Sequence, residues 1–354
     1  MSRKRKDDMH INLLLLTWDG LRYLPDLFKS IDAQTYRNFT LRICDNGSVD
    51  GTVDYLRMQR TRELVLCNNK NIGYAPGYNA LYKFTLDHLV GDEEQIVVLL
   101  NQDIILAPDT LENIAHCFEK FPEIGSLQPK LLKAFADQSN DEIDEKTQSD
   151  ILDSTGLAIR RDWRFYERGA GEMDRGQYDE LNDIFGANGA LACYRLKALV
   201  DASIDDNLFE EKFFAYREDC DLAWRLQKVG WKSRFEPSVR AHHYRGMYGA
   251  FKASLWERLR NRRGQRPFAA ALSLRNEIYL YIRHLSMGDF VKYLPFIVFG
   301  FGGRFLYAVI VENVTRRELV KSLKFWGYMF DSRRKIREKT TININDLRKY
   351  VITD

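Results

Sequence analysis

The sequence predicts an α/β chain: a mixed, mainly parallel Rossmann-like sheet flanked by helices, followed by a helical extension at the C-terminus. Three observations carry that reading. Over residues 11–100, short runs of Leu, Ile and Val alternate with segments whose apolar residues recur every three or four positions. Each apolar run ends in a polar or glycine-containing turn, as in right-handed βαβ units whose ligands bind at the carboxyl ends of the strands. After residue 250 the charge balance changes: residues 251–354 hold 21 Lys and Arg against 9 Asp and Glu, leaving 32 against 41 in residues 1–250.

Taken in order, residues 11–17, 40–44, 64–67 and 96–100 are brief apolar runs and are expected to be buried strands. Between them, residues 21–33, 52–59 and 77–89 are expected helices. Leu21, Leu24, Leu27, Phe28 and Ile31 mark the apolar face of the first. A polar, acidic stretch at 136–150 is expected to be a surface loop. Shorter strands follow at 154–160 and 190–194, then a helix at 220–229. Residues 251–261 and 267–285 have helical character, 293–311 is strongly apolar, and 333–339 is a basic cluster. No internal repeat is present. The organisation implied is a ligand-binding domain over 1–250 and a basic helical region over 251–354.

With 354 residues, 45% hydrophobic and 29% charged, the chain has enough apolar sequence for a sizeable core and is neither disordered nor collagenous. Its five cysteines are widely spaced, with no C-x-x-C pair, which argues against a disulfide framework or a cysteine zinc site and suits a reducing cytosol. The first ten residues contain no apolar stretch of signal-peptide type. The charge asymmetry suggests that the basic region meets an anionic surface, nucleic acid or phospholipid.

Five constellations could carry chemistry. Asp45-Asn46-Gly47-Ser48-Val49-Asp50-Gly51-Thr52 follows the second strand, where polar side chains and two glycines can meet a nucleotide; a turn with a helix cap explains it equally well. Asn71-Ile72-Gly73-Tyr74-Ala75-Pro76-Gly77-Tyr78-Asn79 opens a helix and could face a pyrophosphate. Leu99-Leu100-Asn101-Gln102-Asp103 ends a buried strand in a carboxylate that can hold a hard divalent cation through oxygen, or simply cap the strand. Glu218-Asp219-Cys220-Asp221 opens a helix after the aromatic run Phe213-Phe214-Ala215-Tyr216, and one of its acids could be a base. His242-His243 is a ligand candidate or a solvent-facing pair.

The ordered set, from Thr17-Trp18-Asp19 through these motifs, with Phe185 to Ala190, Arg217 to Trp231 and Pro237 to His243, resembles family 2 glycosyltransferases, in particular their rhamnosyltransferase-like branch. The resemblance implies a glycosyltransferase-A fold, a nucleotide-sugar donor linked to dTDP or UDP, Mg2+ or Mn2+, and transfer with inversion. On the donor side it implies Thr17 and Asp19 in the nucleotide pocket, with Asp45 against the pyrimidine and Asn46 beside it. It places Asn71, Gly73 and Asn79 by the ribose and diphosphate, with Asn101 and Gln102 at the strand end. Asp103 matches the last acid of the family's D-x-D metal motif, in which Asn101 stands for the first acid, and His243 matches the histidine that completes the metal site. Asp219 matches the general base. Gly186, Ala187, Asn188, Gly189 and Glu218 would border the acceptor, a saccharide or lipid-linked saccharide.

Inversion in one displacement needs a base for the acceptor hydroxyl and an electrophile for the departing diphosphate. It needs no covalent nucleophile, and the chain shows no recognisable Ser-His or Cys-His arrangement. The competing enzyme is a galactofuranosyl or other hexosyl transferase of the same family. From outside catalysis, the competitor is a silent saccharide-binding scaffold. In the basic region only eleven uncharged residues separate Lys292 from Arg304, and Pro295 with Gly300, Gly302 and Gly303 is expected to interrupt a helix. Because a span needs about 20 apolar residues, the expectation is peripheral attachment to the anionic inner face of the cell membrane. A helical subdomain or a homo-oligomer interface is the other reading. None of the modular nucleic-acid signatures is present.

Overall fold

The computed structural model describes residues 9–91, 94–135, 148–244 and 267–351. The chain opens with β1 (Met9–Thr17), α1 (Leu24–Asp32), β2 (Phe39–Asp45), α2 (Thr52–Gln59), β3 (Leu64–Cys67), α3 (Tyr74–Asp87) and β4 (Glu94–Asn101). Strands β4, β1, β2 and β3 lie side by side and parallel. β1, buried from Met9 to Leu15, lies between β4 and β2, which explains the apolar run Leu13–Leu16; its buried polar residues His10 and Asn12 are paired with the Asn38 and Gln95 side chains. α1 starts at Leu24 rather than at residue 21, because Pro25 sits in its first turn with φ preset and no N–H to lose. α3 starts at Tyr74, three residues earlier than expected, from Gly73 at φ 104.

The second half makes the sheet mixed. β5 (Ile104–Leu106), α4 (Thr110–Lys120) and β6 (Ile124–Ala134) are followed by β7 (Gln148–Ser154), β8 (Leu157–Ile159), β9 (Phe165–Glu167) and β10 (Asp183–Ile184). β11 (Leu191–Arg195), α5 (Leu196–Ala202), α6 (Glu218–Lys228) and β12 (Lys232–Tyr244) complete it. The order is β10-β12-β6-β11-β4-β1-β2-β3, with β11 antiparallel to both β4 and β6, β12 parallel to β6, and β5 and β7 paired antiparallel at the side of β12 and β6.

Two expectations are corrected here. The loop assigned to 136–150 ends in strand, since β7 begins at Gln148; residues 136–147 lie outside the described residues. The single strand expected at 154–160 is two, because Gly156 at φ 119 turns the chain between β7 and β8.

The helix expected at 251–261 lies outside the described residues. Beyond it, α7 (Pro267–His284), α8 (Met287–Val311), α9 (Asn313–Ser322) and α10 (Trp326–Lys339) follow. They do not stand apart. Tyr279, Leu280, Leu285, Met329 and Val351 share one apolar cluster with Leu157, Phe165, Phe185 and Trp224. The Trp224 ring is sandwiched, stacking on Trp163 at 5.5 Å and on the His284 imidazole at 4.7 Å.

α8 overturns the interrupted apolar run. It is one helix of 25 residues, long and apolar enough to cross a membrane by length and composition, with mean hydropathy 1.9 and only 11% of its most apolar window buried. Pro295 lies inside the helix and a π turn, Val298–Gly302, follows it, yet the chain stays helical through both.

Candidate functional site

The pairing register decides which polar residues meet. Thr17 is opposite Asp45 across β1 and β2, and Leu16 is opposite Asn101 across β1 and β4. The polar residues that end three strands therefore share one edge of the sheet, the carboxyl edge. There a cleft of ≈ 570 Å³ opens, lined among others by Thr17, Asn46, Asn71, Gly73, Asn101, Gln102 and Asp103.

Gln102 ties the edge together. Its Oε1 accepts from Thr17 Oγ1 at 2.6 Å and from the Trp18 N–H at 2.8 Å, and its Nε2 donates to the Trp18 carbonyl at 3.1 Å. Asn46 braces the second wall, donating through Nδ2 to Asn71 Oδ1 and to the Gly73 carbonyl, both at 3.2 Å, while its Oδ1 accepts from the Ile72 N–H at 3.2 Å. Gly73 is required on two counts. Its φ is 104, and a Cβ would fall 2.6 Å from the Phe214 ring and 2.7 Å from the Phe214 carbonyl.

Three donor-side candidates lie outside the lining. Asp45 is fully buried and folds its carboxylate back on the following turn, accepting from the Gly47 and Ser48 N–H groups at 3.0 Å each and from Ser48 Oγ at 2.5 Å. Asp19, at φ 46, joins the loop after β1 to the loop after β2 by accepting from the Val49 N–H at 2.8 Å. Asn79 is buried in α3 and pairs with the Phe209 backbone in both directions, at 2.9 and 2.8 Å.

Asp103 and His243 are brought together although 140 positions separate them. β12 runs antiparallel to β5 with His243 opposite Ile104, which sets His243 Nε2 3.4 Å from Asp103 Oδ1. The other ring nitrogen, Nδ1, faces Asp153 Oδ2 at 2.8 Å. Burial alone would depress the imidazole, but the carboxylates of Asp103 and Asp153 raise it to about 9. A carboxylate behind a histidine fixes the ring so that its far nitrogen points into a site. Once His243 gives up its Nε2 proton, Asp103 and His243 form a two-donor set for a cation. Among the described residues no group of three His, Cys, Asp or Glu is arranged to hold a metal. Two protein donors suit Mg2+ or Mn2+, which keep waters and take phosphate oxygens as further ligands. Asp153, a buried acid in β7, was not picked out in the sequence, where no motif surrounds it.

The acidic cluster opens α6. Arg217, in the left-handed region at φ 73, precedes it. Asp219 is half-buried and its Oδ2 accepts from the Gly189 N–H at 3.1 Å, so the base candidate touches the loop of acceptor candidates. Tyr74 joins the two sides, donating to the Gly189 carbonyl at 2.7 Å. Gly186 packs directly on Ala223 of α6, and Ala187 is buried in the core. Asn188 is held by the Gln128 and Glu167 side chains, its N–H and Nδ2 each donating at 2.6 Å. Glu218 is buried, and burial followed by the neighbouring Asp219 pushes its carboxyl up to about 8.

Asp221 plays no part in the cleft. It is fully buried and accepts from Arg225 Nε at 2.8 Å, Arg283 Nε at 2.7 Å and His284 Nε2 at 2.8 Å; despite its burial, the Arg283 and Arg225 charges, with the His284 hydrogen bond, hold it well below the usual carboxylate range.

The rest of the wall comes from residues that the sequence did not single out as site candidates. Trp18, Tyr74, Phe214, Ala215 and Tyr216 line the cleft, and so do Phe268, Ala269 and Leu272 from α7. The aromatic run before the acidic cluster signalled Phe214 and Tyr216. The α7 residues carried no signal, because they come from beyond the predicted domain. α7 also clamps the Phe214–Arg217 bend, where Phe214, Tyr216 and Arg217 have φ of 64, 72 and 73. Buried Asn276 donates to the carbonyls of Phe213, Ala215 and Tyr216 at 2.9, 2.9 and 2.7 Å, and Arg275 Nη2 donates to those of Lys212 and Phe213 at 2.9 and 2.8 Å.

Comparison with known proteins agrees with this geometry. The family described as "Glycosyltransferase like family 2" matches residues 11–265. An N-acetylglucosaminyl-diphospho-decaprenol L-rhamnosyltransferase of Mycobacterium tuberculosis is 23% identical over 245 residues, 66% of this chain and 75% of that protein. Among solved structures, GalNAc-T7 with UDP, GalNAc and Mn2+ aligns with a TM-score of 0.61 at 11% identity, over 96% of this chain and 56% of that one. Staphylococcus aureus TarS aligns at 0.51 with 14% identity, over 93% and 54%. This chain therefore spans a little over half the length of each of these two structures, and the likeness to them is one of fold: glycosyltransferase-A.

Proposed function

This chain belongs to glycosyltransferase like family 2, and on that premise we propose that it is an inverting, metal-dependent transferase that moves L-rhamnose from a dTDP-linked donor to a lipid-linked saccharide or related polysaccharide. The observation that carries the reading is the convergence of Thr17, Asn46, Asn71, Gly73, Asn101, Gln102 and Asp103 on one cleft at the carboxyl edge of the sheet. The sugar and acceptor come from the similarity to the mycobacterial rhamnosyltransferase.

The donor's nucleotide lies between the loops after β1 and β2, with its diphosphate toward Asp103. Asp103 and His243 would hold a Mg2+ or Mn2+ ion, which would supply positive charge to the departing diphosphate. Asp153 orients the His243 ring. The acceptor enters past Gly189. Its hydroxyl oxygen bonds to the anomeric carbon on the face opposite the diphosphate. The carbon–oxygen bond to the diphosphate breaks with its electron pair, and the hydroxyl proton passes to Asp219. The Gly189 N–H keeps Asp219 oriented while leaving lone pairs for that proton. Bound water must be kept from the anomeric carbon, and the aromatic wall of Trp18, Tyr74, Phe214 and Tyr216 does this.

The same reading places the protein on the cytosolic face of a membrane, where a lipid-linked acceptor is found. The exposed apolar α8 and the basic residues around it would rest on an anionic leaflet. The test is a screen of donor hydrolysis and transfer across dTDP-, UDP- and GDP-linked sugars with Mg2+ or Mn2+. Fastest turnover of dTDP-L-rhamnose is expected. A preference for a UDP-hexose would move the assignment to a hexosyl or galactofuranosyl transferase, and absence of turnover with every donor would refute catalysis.

A further inference from the structure

A second cavity, of ≈ 340 Å³, lies where the end of α6, the end of α7, the start of α8 and the last turns of α10 meet. It shares no lining residue with the donor cleft. Lys228, Arg283, His284, Met287, Arg333 and Arg337 line it, and no Asp or Glu does.

The charges in this wall are unequal. Arg283 is neutralised, with Asp221 at 2.7 Å and Glu210 at 2.6 Å. His284 donates through Nε2 to Asp221, and its Nδ1 faces the Lys228 ammonium at 3.2 Å. Burial, then the Lys228 charge, holds the His284 imidazole well below its ordinary value, so the ring is neutral and its Nδ1 accepts from Lys228. Lys228 has the His284 ring and the His284 carbonyl at 3.3 Å, both neutral acceptors. Arg333 donates to the Ile282 carbonyl at 2.9 Å. Among the described residues, none of Lys228, Arg333 and Arg337 is in an ion pair.

Three cations facing one small space with no carboxylate between them is an arrangement that repels itself. Burial first, and the nearby Arg333 charge second, push Lys228 down to about 7, with Asp221 opposing them, so an anion in the cavity would favour its charged form. Basic residues at the end of a helix are ordinarily explained by the helix dipole, and for Arg337 that account suffices. Lys228 likewise ends its own helix, α6, but it is only 4% exposed, and a dipole does not require a lysine to be buried there. Nor does it explain how the basic cluster divides. Lys335 reaches Asp205 at 2.5 Å and Arg334 reaches Asp331 at 3.6 Å, while Arg333 and Arg337 line the cavity.

We propose that this cavity is an anion site, built for a phosphate monoester or diphosphate group and separate from the donor cleft. The chemistry matches: phosphate takes several charge-assisted hydrogen bonds at once, arginine offers paired donors and lysine a point charge. α6 connects the two places. Asp219 is in its first turn and Lys228 is its last residue, nine residues or about 13 Å along the axis. The mouth lies beside Met287, the exposed first residue of apolar α8. A phosphate carried by a lipid and a soluble phosphate would both satisfy the site. The inference does not rest on the proposed sugar or acceptor.

The test is titration calorimetry of the full chain with pyrophosphate in the presence of chelator, which removes metal-dependent binding at Asp103. Saturable binding is expected, and Arg333→Gln with Arg337→Gln should weaken it roughly tenfold for each arginine removed. Arg334→Gln with Lys335→Gln, whose charges are paired with Asp331 and Asp205, should leave it unchanged. Arg337→Gln alone changes an exposed side chain and tests the site without threatening the fold, and melting temperatures confirm that each variant is folded. Vesicle co-sedimentation separates the sources, using phosphatidylcholine alone or with phosphatidic acid. If the double arginine variant loses binding to pyrophosphate and to phosphatidic acid vesicles, the site takes a lipid phosphate. If it loses pyrophosphate alone, the site takes a soluble phosphate. Equal pyrophosphate affinity in wild type and the double arginine variant, or equal loss in the Arg334/Lys335 control, would overturn the proposal.

Discussion

Two acids two residues apart, on opposite sides of α6, give the sharpest test of the site. Asp219 faces the Gly189 loop, whereas Asp221 is sealed among Arg225, Arg283 and His284. Asp221→Asn removes the negative charge but keeps one carboxamide oxygen; at the Oδ1 position it still accepts from Arg283 Nε and His284 Nε2, while Arg225 Nε and Arg283 Nη2 lose their Oδ2 acceptor. The guanidinium groups are not stranded altogether. Arg225 still donates to the carbonyls of Ala202 and Leu208 at 2.6 and 2.5 Å, and Arg283 still has Glu210. The cost should therefore lie at the lower edge of the range for breaking a buried ion pair, about 3 kcal/mol. For a chain of this size that lowers the melting temperature by roughly 5 °C. Asp219→Asn breaks no such network and should melt like wild type while turnover drops about a hundredfold or more, with donor affinity nearly intact. Differential scanning fluorimetry and steady-state kinetics on the two variants provide the comparison. An Asp221→Asn protein with wild-type melting, or an Asp219→Asn protein with near-normal turnover, would refute the division of roles.

Other predictions concern the metal, the pH dependence and the membrane. Asp103→Ala should weaken nucleoside-diphosphate binding in the presence of Mn2+, and chelator should bring wild type to the mutant level; identical affinity with and without metal would remove the ion from the site. Glu218 has its folded value raised to about 8 by burial and by Asp219. Its contribution to stability is complete below about pH 4, the ordinary carboxylate range, and is lost as pH rises toward 8. The melting temperature of wild type should fall over that window and that of Glu218→Gln should fall less, which thermal scans at successive pH values will check. Phe299, 85% exposed in α8, should matter for membranes. Phe299→Asp should reduce co-sedimentation with anionic vesicles, and because α8 adds apolar contact, wild-type binding should weaken but persist at 1 M salt, where the Debye length is about 3 Å. Binding abolished entirely by salt would assign attachment to charge alone.

Much of the donor side was legible because it depends on neighbours in sequence. Mainly apolar runs of four to seven residues mark β1 to β4, and the polar residues that follow them fall at a sheet edge whatever the details of packing. The acidic opening of α6 was visible for the same local reason. Proline was the misleading signal. In α1, Pro25 moved the start of the helix inward, whereas in α8 Pro295 was expected to stop a helix that continues past it.

The sequence by itself determined the strand and helix alternation, the carboxyl-edge cleft and the acids that border it, since these follow from residue periodicity and from chain order. Only the tertiary structure decided which of those groups are free to act. It turned Asp45 into a turn brace and Asp221 into the centre of a buried charge network. It also brought Asp153 behind His243 across ninety residues and laid α7 over the Phe214–Arg217 bend. Lys228, Arg333 and Arg337 were likewise gathered from three turns of two helices around one cavity. The physical reason is that a charge or amide has no fixed role until its partners are known; those of Asp45 are local, but the partners that decide Asp221, His243 and the Phe214–Arg217 bend include residues from distant parts of the chain, beyond the reach of any local pattern.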